Sequence, residues 1–268
     1  MKNKICYIVN FYLGERRRTV QEVKDDKLFL LKKHIEYLYK IKSSLDTIIF
    51  NFNIRPDDYP SVSEIFKIVP KYIQGSEVVI NFRENYGMSY GAWSDAFVKY
   101  QNKFNYYVFN EDDYFFVEDH WDTYLVNKFN SLEKCGYLCM VAREGKEWCN
   151  YKKHAGHSVG ISSYEVLHEV YRKYGDLPHS KNSDYRLAEQ LGQVNQSYSV
   201  IEVGYKIYDV RDDYRVEFAF SEETDNDIWR FFWWNEKYIT KPVLLLKDIE
   251  YSYWECFDDE FKPYNSEL

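Results

Sequence analysis

The chain has 268 residues, 45% hydrophobic and 29% charged, which is the composition of a folded globular protein and excludes a disordered one. With 35 Lys and Arg against 43 Asp and Glu the net charge is −8, which makes the chain a poor candidate for a sequence-independent nucleic-acid binder, which needs clustered cations, while still allowing a local basic site. Aromatic residues reach 19% (27 Tyr, 18 Phe, 7 Trp), a supply that suits flat ligands or sugar rings and equally a coding bias.

Taken in chain order, strand-like and helix-like segments alternate over the first two thirds. Ile5–Val9 is a continuous apolar run, the pattern of a strand buried on both faces. A charged loop follows, in which Arg16-Arg17-Arg18 is either a phosphate clamp or a solvated basic run. Leu28–Leu31, Ile35, Leu38 and Tyr39 recur at helical spacing, and Thr47–Phe50 is a second strand. Pro56 and Pro60 punctuate the next connection, and Ser61-x-x-Glu64 predicts a capped helix start. Val78–Ile80 is a third strand, 92–101 a helix and Tyr106–Phe109 a fourth strand. A helix over Trp121–Leu132, a strand over Leu138–Ala142 and a short strand at Val159–Ile161 come next. Helices over Ser163–Tyr174 and Ser183–Leu191 precede a strand at Val200–Val203. Such alternation predicts an α/β fold: a mostly parallel sheet flanked by helices and joined by right-handed crossovers. The texture changes near Ser221, where Trp229, Phe231, Phe232, Trp233 and Trp234 crowd together. Residues 1–220 are therefore expected to form one domain, and 221–268 an aromatic-rich extension packed on it. The aromatic cluster either packs this extension or marks a peripheral membrane-interface surface.

The five cysteines (Cys6, Cys135, Cys139, Cys149, Cys256) are odd in number and contain no C-x-x-C, which reads as a reduced, cytoplasmic protein without a zinc site. No stretch approaches the ~20 apolar residues of a membrane span. The apolar start resembles a short leader, but Asn10 interrupts it, so it is read as a strand.

In an open α/β sheet ligands bind beyond the carboxyl ends of the parallel strands. That rule selects loops starting at Asn10, Asn51, Phe82 and Asn110. The last carries Glu111-Asp112-Asp113, three adjacent carboxylates after an apolar strand. They repel one another unless solvated or compensated by a divalent cation, which takes one or two carboxylates plus phosphate oxygens. A solvated acidic loop capping the next helix satisfies the same spacing.

Val79–Gly87, Gly91-Ala92-Trp93-Ser94-Asp95-Ala96 and Tyr107–Asp113, in that order, resemble the central signature of GT-A fold nucleotide-sugar glycosyltransferases, particularly the family-2-like group of polysaccharide and rhamnan synthesis. Ser183-Asp184-Tyr185-Arg186-Leu187 resembles that family's E-D helix, followed by a strand here placed at Tyr198–Val203. The resemblance spans residues 4–210. It implies a GT-A (Rossmann-like) fold and an inverting, metal-dependent transfer of a sugar from a nucleotide-diphosphate donor to a glycan or other hydroxyl. Mn²⁺ or Mg²⁺ would be held by Glu111 and Asp113, with Asp112 beside them. Asp184 would act as general base. Asn10, Phe11, Asn51 and Asn53 would meet the nucleotide, with a ring stacked on Phe11. Arg83, Asn85 and Gly87 would approach the diphosphate, and Trp93 and His157 would contact the acceptor. The chain departs from the family pattern at Glu111, the first position of the metal motif, and at Ser183, where the family has Glu. It also lacks the late His, for which Asp209, Asp212 or Asp213 would stand in. Alternative readings are a non-catalytic carbohydrate-binding module on the same fold, a retaining transferase, or a metal-dependent phosphodiesterase or nuclease.

Overall fold

The computed structural model of the protein describes residues 3–13, 26–112, 114–139, 142–144, 153–155, 159–179, 185–209 and 239–240. The chain runs β1 (Ile5–Tyr12), α1 (Phe29–Lys40), β2 (Thr47–Ile54), a 3₁₀ turn (Pro56–Asp58), α2 (Tyr59–Ile68), β3 (Tyr72–Ile73), β4 (Ser76–Glu84), α3 (Met88–Tyr100) and β5 (Tyr106–Glu111). It continues through β6 (Phe115–Phe116), α4 (Trp121–Ser131), β7 (Cys135–Cys139), β8 (Ala142–Glu144), β9 (Lys153–Ala155), β10 (Gly160–Ser163), α5 (Tyr164–Tyr174), α6 (Tyr185–Glu202), β11 (Lys206–Asp209) and β12 (Ile239–Thr240).

Eight strands form one sheet in the order β11-β7-β10-β5-β1-β2-β4-β3. The pairs β5-β1, β1-β2, β2-β4 and β11-β7 are parallel, whereas β10 runs antiparallel to both its neighbours and β3 antiparallel to β4. This is the mostly parallel α/β sheet with flanking helices that the alternation predicts. Two short antiparallel pairs, β8-β9 and β12-β6, lie outside it. Among the described residues no helix is long and apolar enough to cross a membrane.

Side chains alternate across a strand, so each strand feeds two layers. Tyr7, Val9, Phe11, Phe50, Phe52 and Val108 join Leu31, Leu38, Trp121 and Leu125 in one core, toward α1 and α4. Cys6, Ile8, Ile49, Tyr107 and Phe109 join Trp93, Ala96, Phe97, Val166, Val170 and Val200 in the other, toward α3, α5 and α6. Each Val, Leu, Ile or Phe side chain among them stabilises the fold by roughly 1.5–3 kcal/mol when fully buried. On the α3 side the apolar run ends before the strands do. The last residues facing that way are Asn10, Asn51, Asn53, Asn81, Arg83 and Glu111. The register places Asn10 beside Asn51 on one side and beside Glu111 on the other, and Asn51 beside Asn81.

The structure corrects four predicted elements. Helix α2 starts at Tyr59, so Ser61 lies inside it. The chain turns earlier, where the buried Asp58 carboxylate accepts the Arg55 amide at 3.0 Å and the Lys27 ammonium at 3.1 Å, and Pro60 occupies the first turn, where its missing N–H costs nothing. Helix α3 starts at Met88, directly after Gly87 (φ 65°) turns the chain out of β4. The predicted strand at 138–142 is divided between β7 and the separate strand β8. The predicted strand at 200–203 is instead the last turn of an 18-residue helix, α6. Burial of Val200 outweighs the β preference of a β-branched run, and Gly204 (φ 89°) stops the helix with the paired bonds of a Schellman motif: the Tyr205 amide donates to Val200 O at 3.2 Å and the Gly204 amide to Ile201 O at 2.9 Å. The true late strand, β11, follows that stop.

Candidate functional site

From β1 the chain builds outward through β2 and β4, then returns to lay β5 on the other side of β1. Strand order therefore reverses between β1 and β5, and the crevice beyond their carboxyl ends is where an open sheet of this type takes a ligand. Asn10, Tyr12, Glu111 and Asp112 stand at it.

The acidic turn is anchored at every described residue. The Tyr114 amide donates to Glu111 O at 3.3 Å, and the Asn110 side-chain amide donates to Tyr114 O at 2.9 Å. Glu111 is half-buried, and its Oε1 accepts the Ser89 hydroxyl at 2.6 Å, so this carboxylate points to the first turn of α3. Asp112 does not share that direction. Its Oδ2 accepts the Tyr12 amide at 2.9 Å, its carbonyl meets His34 Nε2 at 3.0 Å, and it is 5% exposed. The Asp112 carboxylate thus closes the end of β1.

Behind Glu111 runs a buried ladder of amides. Lys99 Nζ donates to Asn81 Oδ1 at 2.5 Å, Asn81 Nδ2 to Asn51 Oδ1 at 2.8 Å, Asn51 Nδ2 to Asn10 Oδ1 at 3.1 Å, and Asn10 Nδ2 to Ser89 O at 2.9 Å. Asn51 Nδ2 also donates to Ala92 O at 2.7 Å. Asn10 and Asn51 are thus engaged in docking α3 onto the sheet. Asn53 is likewise committed, accepting from Arg83 Nη1.

Arg83 is 8% exposed and paired on three sides: Nε with Asp95, Nη1 with Asn53, and Nη2 with Tyr86 O at 2.9 Å. Its guanidinium also lies 4.0 Å from the Tyr86 ring centroid, a cation–π contact. It therefore braces the turn from β4 to α3, which carries half-buried Asn85 and Gly87, and does not project from it. Gly91 lies against the same turn. A Cβ there would meet Tyr86 O at 2.6 Å, Arg83 Nη2 at 3.2 Å and the His179 ring at 3.3 Å.

Two aromatic expectations are also corrected. Phe11 faces the opposite layer from Asn10, 2% exposed, stacked on Phe52 at 5.0 Å and edge-on to His34 at 5.3 Å, so it offers no face to a ligand. Tyr12, next along the strand, lies on the α3 side, half-buried, with the Arg55 guanidinium 5.3 Å from its ring centroid. Trp93 is 1% exposed, packed on Tyr90 at 4.8 Å and Phe109 at 5.1 Å, which makes it a core residue and not an acceptor contact. Its indole Nε1 has no hydrogen-bond partner among the described residues.

A buried polar cluster on α6, next to β7, is one that sequence reasoning missed. Gln193, Asn195, Gln196, Ser197 and Ser199 are all buried on a helix polar enough to pass for a surface one. Tyr137 of β7 hydrogen-bonds with Gln196; burial pushes its phenol well up, the charges of Cys139 and Glu111 push further, and the Gln196 bond opposes them. His179 is a second missed residue. Its Nδ1 lies 3.1 Å from Leu177 O, and its buried Nε2 has no partner among the described residues. Only its position close before Asp184 could have drawn attention to it.

Of the expected site residues, Asn10, Asn51, Glu111 and Asp112 lie at the carboxyl ends of β1, β2 and β5, and the β4–α3 turn groups Asn53, Arg83, Asn85 and Gly87. Asp113, His157 and Asp184 lie outside the described residues, as does the Trp229–Trp234 cluster. Among the described residues no three His, Cys, Asp or Glu side chains gather closely enough to hold a metal. Glu111 is the described carboxylate that fits a cation at the crevice, because Mg²⁺ needs only one or two carboxylates when phosphate oxygens complete its shell.

No protein-family profile matches the sequence, and no curated protein matches it. Solved structures with a similar course of chain include 4-diphosphocytidyl-2C-methyl-D-erythritol synthase from Anaerococcus prevotii, 10% identical over 87% of this chain and 95% of that one, with a TM-score of 0.47. CMP:2-keto-3-deoxy-manno-octonic acid synthetase complexed with CTP is 12% identical over 87% of this chain and 99% of that one, with a TM-score of 0.46. Residues 1–349 of S. aureus TarS in complex with UDP are 10% identical over 85% of this chain and 64% of that one, with a TM-score of 0.44. Likeness at this level carries no argument about activity, which has to come from the site.

Proposed function

We propose that the chain transfers a sugar, with inversion, from a nucleoside-diphosphate donor to a hydroxyl of a glycan or similar acceptor. The observation that carries this reading is the placement of Glu111: a carboxylate at the point where strand order reverses, held toward the first turn of α3. Glu111 and Asp113 would hold Mn²⁺ or Mg²⁺. A bound cation there supplies positive charge against the departing diphosphate. Asp184 would accept the acceptor hydroxyl's proton as that oxygen attacks the anomeric carbon from the opposite face. Gly87, whose φ of 65° suits a residue without Cβ, and half-buried Asn85 would let the backbone come near the diphosphate. Arg83 would keep that turn in shape, and His157 would contact the acceptor. Residues 1–220 would carry the chemistry; of the extension, Ile239 and Thr240 pair with Phe116 and Phe115.

With Phe11 in the core, Tyr12, half-buried on the α3 side of β1, is the ring assigned to stack on a nucleobase. Tyr12→Ala is expected to weaken nucleotide binding by about 0.5–1.5 kcal/mol while Tyr12→Phe keeps it, as isothermal titration calorimetry would measure. Equal affinities for all three proteins would remove Tyr12 from the site.

The test of the reading is a thermal-shift screen of UDP-, GDP-, dTDP- and CMP-sugars with and without Mn²⁺, followed by an assay of nucleoside diphosphate release. A ligand that binds the native state raises its apparent stability by mass action. Glu111→Ala and Asp113→Ala are each expected to lower both turnover and the response to Mn²⁺. A second reading, a carbohydrate-binding module without catalysis, draws on the internal commitment of Asp112 and Arg83. It predicts glycan binding with no donor-stimulated release. The anomeric configuration of the product separates inversion from retention.

A further inference from the structure

We propose that Lys99, Asn81, Asn51 and Asn10 are positioning residues: a hydrogen-bonded relay that holds Ser89, and through it Glu111, at the mouth of the crevice. The proposal rests on the reading of Glu111 as a cation ligand.

The relay has one direction. Ser89 O and Ala92 O are backbone carbonyls and can only accept, so the amides of Asn10 and Asn51 that face them must donate. The Lys99 ammonium can only donate, so the oxygen of Asn81 must face it. These ends fix the orientation of all three asparagines, and each remaining bond follows: Asn81 Nδ2 to Asn51 Oδ1, then Asn51 Nδ2 to Asn10 Oδ1. The series starts at a cation and finishes at an anion, because Ser89, whose carbonyl receives the final amide, gives its hydroxyl to Glu111 Oε1. Polarisation along such a series strengthens each bond in a low-dielectric interior. Asn51 is 0% exposed, Asn10 4% and Asn81 6%, so water does not compete for these groups. Lys99 stands near the end of α3, so its bond to Asn81 is a third tie of that helix to the sheet, and the same series of bonds locks the amides that set Ser89.

Groups that orient a metal ligand from behind typically change metal affinity by about 10–100-fold when removed. The experiment uses the full chain as wild type, Lys99→Met, Lys99→Arg and Asn81→Ala. Mn²⁺ binding is followed by electron paramagnetic resonance, the thermal midpoint by calorimetry, and the asparagine side-chain amides by ¹⁵N spectra. Lys99 is exposed at the end of the relay, so Lys99→Met is expected to fold as wild type does. It should bind Mn²⁺ about tenfold more weakly, with Lys99→Arg restoring most of the loss and Asn81→Ala losing at least as much. The amide signals of Asn81, Asn51 and Asn10 should all move in Lys99→Met. Unchanged Mn²⁺ affinity in Lys99→Met and Asn81→Ala, beside wild-type binding, would overturn the proposal. A wild type that binds no Mn²⁺ with or without a nucleoside diphosphate would mean instead that the cation reading had failed. The relay would then be judged on the spectra alone: a shift confined to Asn81 in Lys99→Met would refute it, and one reaching Asn10 would support it.

Discussion

Asp184→Asn is expected to slow donor-dependent release of nucleoside diphosphate by about 10²–10⁴-fold, the usual cost of losing a general base. The carboxamide matches the carboxylate in size but has no basicity, so the acceptor hydroxyl would have to attack with its proton still attached. Donor binding should survive, because the nucleotide and cation would be held by β1, β5 and the turn before α3, not by this residue. The two effects separate in one experiment: thermal stabilisation by the nucleotide sugar with Mn²⁺ should match wild type while turnover collapses. A variant that kept the full rate would take the base assignment from Asp184. His179, with an oriented Nδ1 and a buried Nε2 lacking a partner among the described residues, would then be the next group to test.

Trp93→Ala should lower the free energy of unfolding by about 3–5 kcal/mol, the range for removing a large aromatic from a core. The ring is 1% exposed and lies between Tyr90, Phe109 and the α6 side of the molecule, so nothing can refill the space without moving α3. Trp93→Phe should cost far less. It keeps part of the ring contact and removes an N–H that has no partner among the described residues, a group expensive to bury. Denaturant titration followed by far-ultraviolet circular dichroism gives both numbers. An alanine variant as stable as wild type but with a raised acceptor KM would restore Trp93 to the acceptor site.

The sheet was legible because its central strands are apolar runs separated by helical spacing, and Ile5–Val9, Thr47–Phe50, Val78–Ile80 and Tyr106–Phe109 all lie within observed strands. The crevice was legible too, since the strand-end rule leads to Asn10 and Asn110 without coordinates. The errors within the site come from ignoring the period of two. Counting alternate residues from Cys6 and Ile8 puts Asn10 and Tyr12 on one face and Phe11 on the other, and the same count separates Glu111 from Asp112. Read that way, Phe11 belongs to the core and Asp112 to the far side of the turn. Two features leave no such trace. Ser89 is an ordinary residue in a helix, and its reach to Glu111 depends on where Gly87 swings the chain. The buried polar cluster of α6 mimics a solvated surface, because a sequence pattern reports polarity and not what stands in front of it. Val200–Val203 was misread because β-branched residues announce strands, whereas Gly204 and the burial of Val200 decided for helix.

The glycines beside α3 carry a cost for the protein's evolutionary freedom. A methyl group at Gly91 would collide with Tyr86 O, and one at Gly192 would come within 2.3 Å of the Tyr90 ring, so the helix is wedged from two directions with no slack on either. Drift at those two positions would shift a whole helix, and with it the hydroxyl that steers an acid on a different strand. A lineage could vary the exposed surface of α3 far more readily than it could alter these two smallest residues.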